Sequence, residues 1–264
     1  MCAIGTSNIW LLEKKKGMVG DMKLLAIDSS GLVASVALIE EEQMIALYSV
    51  NYKKTHSQTL MPMLNEICQA VDLDLNTIDA IAISKGPGSF TGLRIGSATV
   101  KGLALALQKP VVEVLTVDGL AYSLFGNTKI ICPIMDARRE QVYTGLYTFL
   151  DEDGSSKFNI LKEQTATGIL DIISEINKIG KPVIFLGDAV VVYQQIIMDA
   201  IRVPFEFAPS FCNRQNAGAI GALGMQYFKQ GKVVLAKDHE PEYLRLSQAE
   251  RERKEKENEL AKVK

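Results

Sequence analysis

The run Lys85-Gly86-Pro87-Gly88-Ser89-Phe90-Thr91-Gly92-Leu93-Arg94-Ile95-Gly96 is the stretch best equipped for chemistry. It follows an apolar run that reads as a strand and opens a long helical pattern, the place where backbone N–H groups converge on an anion. The named phosphate loops are nonetheless incomplete. A Walker A loop ends in Gly-Lys-Ser/Thr, but Gly92 is followed by Leu93; a dinucleotide loop needs glycine where Thr91 stands. A nucleophile elbow needs G-x-S-x-G, and Ser89 has Gly88 directly before it and no glycine two residues later. A phosphate cradle and a tight structural turn both remain open readings.

A second candidate is Asp28, at the end of the apolar run Lys23–Asp28, followed by Ser29-Ser30-Gly31 and another strand-like run. An acid on a strand end before a small-residue turn resembles the phosphate-binding hairpin of the actin-like ATPases. Asp28, Ser29, Ser30, Gly86 and Gly88 are therefore the candidate nucleotide-contacting residues. Metal chemistry has less to draw on. The two histidines, His56 and His239, are far apart, and the four cysteines are scattered without a C-x-x-C pair, as suits reduced, buried thiols. No metal site and no required cofactor are expected.

The formal net charge of −2 excludes a chain that grips nucleic acid by basic excess alone. Any RNA it serves is expected to be held mainly by another subunit. Residues 1–21 carry Ile9-Trp10-Leu11-Leu12 and then Lys14-Lys15-Lys16, too short an apolar region and the wrong charge order for a signal peptide. They read as a loose extension or as the product of an upstream start chosen over Met18 or Met22. No run of about 18 apolar residues predicts a membrane span, so the expected location is the cytoplasm.

Around these residues the pattern is α/β. Lys23–Asp28, Val33–Ile39 and Met44–Val50 read as a three-strand meander, and Thr55–Val71 as a helix with Thr55 as cap and Gln58 in capping-box position. Pro62 should kink that helix or mark its first turn. A strand over Ile78–Ser84, the helix to Leu107, a strand over Val111–Leu115 and a helix over Val117–Phe125 follow. After Gly126 the pattern restarts. Strands are expected over Ile130–Met135, Gln141–Leu150 and Val183–Leu186, with helices over Gly168–Ile179, Val190–Ile201 and Asn216–Lys229. The expected organisation is a leader (1–21), an N-terminal lobe (22–126), a C-terminal lobe (127–247) and a charged tail (248–264).

The helix after the glycine loop is apolar or small nearly all round, with Arg94, Lys101 and Gln108 on one narrow line. A surface helix buries one stripe; this one is covered on almost every side. Gly92 and Gly96, four apart, admit another backbone at close range. The cover is either the chain itself or a partner helix. On the second reading the interface would comprise Leu60, Met63, Leu64 and Ile67 of the first helix, with Leu93, Gly96, Ser97, Val100, Lys101 and Ala104 of the second.

Taken together, Lys23–Leu38, His56-Ser57 leading to Leu60-x-Pro62, the glycine loop with Lys101-Gly102-Leu103-Ala104, Met135-Asp136-Ala137-Arg138-Arg139-x-x-Val142-Tyr143, and Pro241-x-Tyr243-x-Arg245 resemble the TsaB (YeaZ) family. The resemblance runs from Met22 to about Glu250. It implies a two-lobed actin-like ATPase (ASKHA, ribonuclease H-like) fold. It also implies a role in threonylcarbamoyladenosine synthesis beside the anticodon of tRNAs reading codons that begin with A. The implied partners are a catalytic TsaD-like subunit, docked through a helix bundle, and a TsaE-like ATPase; ATP or ADP at the partner interface and homodimers of the isolated chain are compatible with it. TsaD-type proteins carry a metal-binding H-x-x-x-H after their own glycine loop, where this chain has Thr116-Val117-Asp118-Gly119-Leu120. The resemblance thus implies a non-catalytic scaffold. The rivals are an independent nucleotide-binding ATPase or kinase using Asp28 and Gly86–Gly92, and a peptidase-like protein.

Overall fold

A computed structural model of the chain describes residues 21–52 and 55–245. The expectations for the leader and for the tail lie outside the described residues, apart from Asp21.

Ten strands and six helices are formed among the described residues. The first sheet contains β1 (Lys23–Asp28), β2 (Ala34–Glu40), β3 (Gln43–Val50), β4 (Ala80–Gly86) and β5 (Val111–Leu115), in the order β3-β2-β1-β4-β5. The second contains β6 (Ile130–Asp136), β7 (Gln141–Glu152), β8 (Ser155–Gly168), β9 (Val183–Leu186) and β10 (Phe205–Phe207), in the order β8-β7-β6-β9-β10. In each sheet the first three strands are antiparallel neighbours and the last two join in parallel. Two sheets of one order and one polarity, built from consecutive halves, make this the two-lobed actin-like α/β fold. The central strands β1 and β4 are buried on both faces, which their unbroken apolar runs require.

Helices α1 (His56–Ala70) and α2 (Phe90–Leu107) cover one face of the first sheet. Leu60, Met63, Leu64 and Ile67 of α1 and Val100 and Ala104 of α2 pack against Leu25, Ile27, Val36, Leu38, Ile81 and Ile83. This corrects the expected partner interface: nine of its ten residues are buried inside the chain, and only Lys101 is part-exposed. The sheet takes up the apolar faces of both helices. Thr55 does take the N-cap position of α1, but its hydroxyl bonds no helix amide, so the expected capping box is not made. Pro62 lies inside the helix rather than in its first turn.

Between the sheets run α3 (Thr116–Tyr122) and α6 (Ala217–Lys229); α4 (Ile169–Ile179) and α5 (Val190–Ala200) pack on the far side of the second sheet. Ile220 and Leu223 of α6 share one core with Leu24, Ala26, Ala82 and Val112 of the first sheet and Ile131 and Tyr147 of the second. The small residues of α6 bring it close: a Cβ on Gly221 or Gly224 would stand 3.0 Å from Ala26 Cβ or Ala82 Cβ. Thus α6 crosses the boundary expected near Gly126 and completes the first lobe from the far end of the chain.

Candidate functional site

The cleft between the halves, about 870 Å3, is walled by the glycine loop, Gly31, His56, the turn Asp136–Arg138, Asp188 and the segment Glu242–Arg245. The two parts expected to meet phosphate both lie here, and they meet each other. Ser89 N donates to Ser30 O at 2.7 Å, and Ser29 Oγ donates to Gly92 O at 2.9 Å. A Cβ on Gly88 would lie 2.2 Å from Ser30 O, and one on Gly92 2.1 Å from Ser29 O. The close backbone approach legible in these glycines is therefore real, but the neighbour is the chain's own β1–β2 turn.

Asp28, Ser29 and Ser30 are each buried. Asp28 Oδ1 accepts from Ser30 N at 2.9 Å and from Ser30 Oγ at 2.6 Å. Burial raises its pKa above the ordinary aspartate value, against the lowering effect of the Ser30 and Ser84 hydrogen bonds. The amides of Ser30, Ser89 and Gly92 are already engaged, the last by Ser89 Oγ. The five candidate nucleotide residues are thus brought together, as expected, but Asp28, Ser29, Ser30 and Gly86 face inward and only Gly88 is part-exposed. They do not fit a phosphate in this arrangement: their polar groups hold the hairpin to the head of α2.

The position after β5 offers a metal little. Ser84 Oγ and Thr116 Oγ1 are 2.8 Å apart in a buried hydrogen bond, and Leu120 is in the core. Among the described residues no group of three His, Cys, Asp or Glu side chains could hold a metal ion. Asp118, on α3 between them, accepts from Tyr147 Oη at 2.7 Å. Burial pushes its pKa up to about 6, with Glu163 and Glu242 adding to the rise and the Tyr147 bond opposing it.

Sequence reasoning missed the role of the segment His239–Arg245, which straps the cleft. Glu242 N donates to Lys85 O at 2.7 Å, and Glu242 O would meet a Cβ on Gly86, itself at φ +127°. Glu113 joins His239 Nδ1 at 2.7 Å and Lys85 Nζ at 2.9 Å. Tyr243 stacks on Phe90 with ring centroids 4.5 Å apart, and the Arg94 guanidinium lies 4.1 Å over the other ring partner, Phe90. Across the cleft Arg245 Nη1 donates to Ala137 O and Arg138 O, and Gln164 Nε2 donates to Glu242 Oε1 at 2.6 Å. The i, i+2 spacing of Tyr243 and Arg245 was the available signal. The structure puts them on opposite walls, Tyr243 against Phe90 and Arg245 against Ala137 and Arg138.

On the outer side of α2, Arg94, Ala98, Gly102, Leu105 and Ala106 are exposed. Gly102 differs from Gly92 and Gly96, since a Cβ there would meet nothing within 4 Å. On the neighbouring α1, Met61 and Pro62 are exposed. Among the described residues no helix is long and apolar enough to cross a membrane.

A family model described as TsaD: tRNA N6-adenosine threonylcarbamoyltransferase matches residues 49–253. A Bacillus subtilis (strain 168) protein named tRNA threonylcarbamoyladenosine biosynthesis protein TsaB is 32% identical over 229 residues, covering 87% of this chain and 96% of that protein. A protein of the same name from Escherichia coli (strain K12) is 36% identical over 136 residues, 50% of this chain and 58% of its own length. Among solved structures, YeaZ from Pseudomonas aeruginosa superposes with a TM-score of 0.68 at 27% identity, covering 84% of this chain and 100% of that one.

Proposed function

Since the chain belongs to the TsaB (YeaZ) family, within the wider TsaD-type family, its role lies in tRNA threonylcarbamoyladenosine biosynthesis, and we propose that it acts there as a non-catalytic scaffold for a TsaD-like catalytic subunit. The outer strip of α2 carries this reading. Ala98, Gly102 and Ala106 are small and exposed beside Leu105, so a second helix can approach closely along the strip. Met61 and Pro62 on the neighbouring α1 are exposed as well.

Two features of the described residues support a scaffold over an enzyme. The Thr116 hydroxyl is taken up by Ser84 and Leu120 is in the core, at the positions where the resemblance implies metal-binding histidines in TsaD-type proteins, and the Asp28 hairpin is packed against the glycine loop. Any ATP or ADP used by the assembly belongs at the joint between subunits. A TsaE-like ATPase then joins the assembled pair, in the cytoplasm. The tRNA is held through the complex, as a chain of net charge −2 suggests. In the absence of its partner, the strip can pair with a second copy of the chain.

Co-purification with the TsaD-like subunit of the same organism tests the proposal. The wild-type chain should give a one-to-one complex. Ala98→Arg and Gly102→Arg should each weaken it at least about tenfold, equivalent to ~1.4 kcal/mol, while the melting temperature of the isolated chain stays unchanged. Gly96→Arg and Val100→Glu are unsuitable probes, because Gly96 abuts Ser29 and Val100 is in the core. A complex indifferent to both exposed substitutions would falsify docking through this strip.

A further inference from the structure

Among the described residues each sheet has two edges, and three of the four are protected. β10 is only three residues long, and the β5 edge is covered where Val111 and Val234 exchange two hydrogen bonds of 2.9 Å. β8 carries Lys157, Lys162 and Glu163, and its two lysines pair with Glu152 and Glu175. Short length, a covered ladder and charge are the means by which folded chains keep an edge from adding strands. β3 has none of them, although it holds the same place in the first sheet that β8 holds in the second.

From Gln43 to Val50, β3 has no charged residue and no proline, and none of its eight residues is buried. Met44 (55% exposed), Ile45 (37%), Leu47 (42%) and Tyr48 (42%) are all large and apolar. Leu47 lies opposite Ala37 and Tyr48 opposite Val36, so these two point to opposite faces of the sheet. An edge strand with one solvated face alternates apolar with polar; this one is apolar on both. Among the described residues no backbone–backbone hydrogen bond reaches β3 beyond its ladder with β2.

The strand that fits this edge is β3 itself. The β2–β3 ladder shifts register between Leu38 and Ile39, and on the far side of that bulge Ala46–Val50 pairs regularly with Ala34–Leu38. A two-fold axis at Tyr48 lays two such segments antiparallel. Tyr48 then meets its own copy, Leu47 meets Ser49 and Ala46 meets Val50. Each larger side chain faces a smaller one except at the axis, where two aromatic rings pack together. The segment is uncharged, so the axis sets no like charges opposite each other. We propose that two copies of this chain join antiparallel through β3, about Tyr48, and so merge their five-stranded first sheets into one. The contact is isologous, as a two-fold dimer requires. A single strand pair falls at the small end of specific interfaces, below ~1,200 Å2, so the dimer is weak and governed by concentration. The proposal is independent of docking at the outer strip of α2, and its failure would leave that reading intact.

Sedimentation of the full chain over a concentration series should show monomer giving way to dimer in the micromolar range. Leu47→Lys and Tyr48→Lys place an edge-blocking charge at exposed positions. Each should raise the dimer dissociation constant at least about tenfold, with circular dichroism and the melting temperature of the monomer unchanged. Gly102→Arg, on α2, should leave the dimer intact. Under mild oxidation Tyr48→Cys should give a disulfide-linked dimer, because the residue on the axis meets its own copy. Ile45→Cys, which would lie opposite Asn51, should not, and neither should the wild-type chain. A chain that stays monomeric throughout the series overturns the proposal. So does a dimer that survives both lysine variants, one lost in Gly102→Arg, or cross-linking at Ile45→Cys in place of Tyr48→Cys.

Discussion

Ser29 and Gly96 meet so closely that a Cβ on Gly96 would lie 2.2 Å from Ser29 Oγ, yet 3.4 Å from Ser29 Cβ. The hydroxyl, rather than the backbone of the turn, is thus what a Gly96 side chain would strike. Gly96→Ala should destabilise the protein by about 1–3 kcal/mol, the usual cost of overpacking. Removing the hydroxyl in Ser29→Ala/Gly96→Ala should recover part of that loss, although Ser29→Ala alone forfeits the bond to Gly92 O. Urea denaturation of the four proteins in a double-mutant cycle reads the coupling. Strict additivity would mean that the turn and the helix move apart freely.

Asp118 makes the fold sensitive to pH. Its folded pKa of about 6 lies above the ordinary 3.8. The native state therefore binds this proton more tightly than the unfolded chain does. The associated stability is fully present below 3.8 and is lost as pH rises through about 6. Asp118→Asn keeps an acceptor for Tyr147 Oη and cannot ionise. The substitution should stabilise the protein by roughly 1–3 kcal/mol at pH 8 and by almost nothing near pH 4. Thermal melts at the two pH values check the difference.

Glu113 acts in the opposite sense. Burial alone would raise its pKa, but the hydrogen bonds from His239 and Lys85 outweigh burial and hold it below 4.5. Its contribution is present above 4.5 and is lost as pH falls through the folded value. Glu113→Gln should cost about 2 kcal/mol near neutrality, as hydrogen bonds to a charged group do. The deficit relative to wild type should shrink in acid. A constant deficit across pH would show that the carboxylate's charge contributes nothing.

The strap should restrain both walls of the cleft at once. Tyr243→Ala removes the stack on Phe90, and Arg245→Ala removes the donors to Ala137 O and Arg138 O. Each should speed amide exchange about fivefold, for a loss of ~1 kcal/mol, in residues 88–92 and 137–140 respectively. Exchange in β1 and β4 should be unaffected. Hydrogen–deuterium exchange with mass spectrometry resolves the two segments.

Much of this architecture could be read from residue patterns because its central strands are buried on both faces. Leu24–Ile27 and Ala80–Ile83 advertise themselves as unbroken apolar runs. The glycines at 92 and 96 announce a close neighbour but not its identity, since Ser29 and Gly92 are 63 positions apart. The apolar faces of α1 and α2 were equally ambiguous: Leu60 and Val100 look alike whether a sheet or a partner covers them. β8 was not anticipated at all. It is an edge strand whose residues, from Ser155 to Gly168, are largely exposed or part-exposed, so burial imposes no alternation on the sequence. The strap was visible only as a motif, for its meaning depends on walls contributed by Lys85 and Ala137.

The return of α6 to the first sheet has a consequence for synthesis on the ribosome. When β5 has emerged, Leu24, Ala26, Ala82 and Val112 have an open apolar face, because Ile220 and Leu223 are still about a hundred residues away. At ~5–20 residues per second, that gap lasts roughly 5–20 s. During that interval the nascent first half is a sticky surface rather than a finished lobe. The first half is completed only as α6 is made, and until then its open face is available to chaperones that bind early.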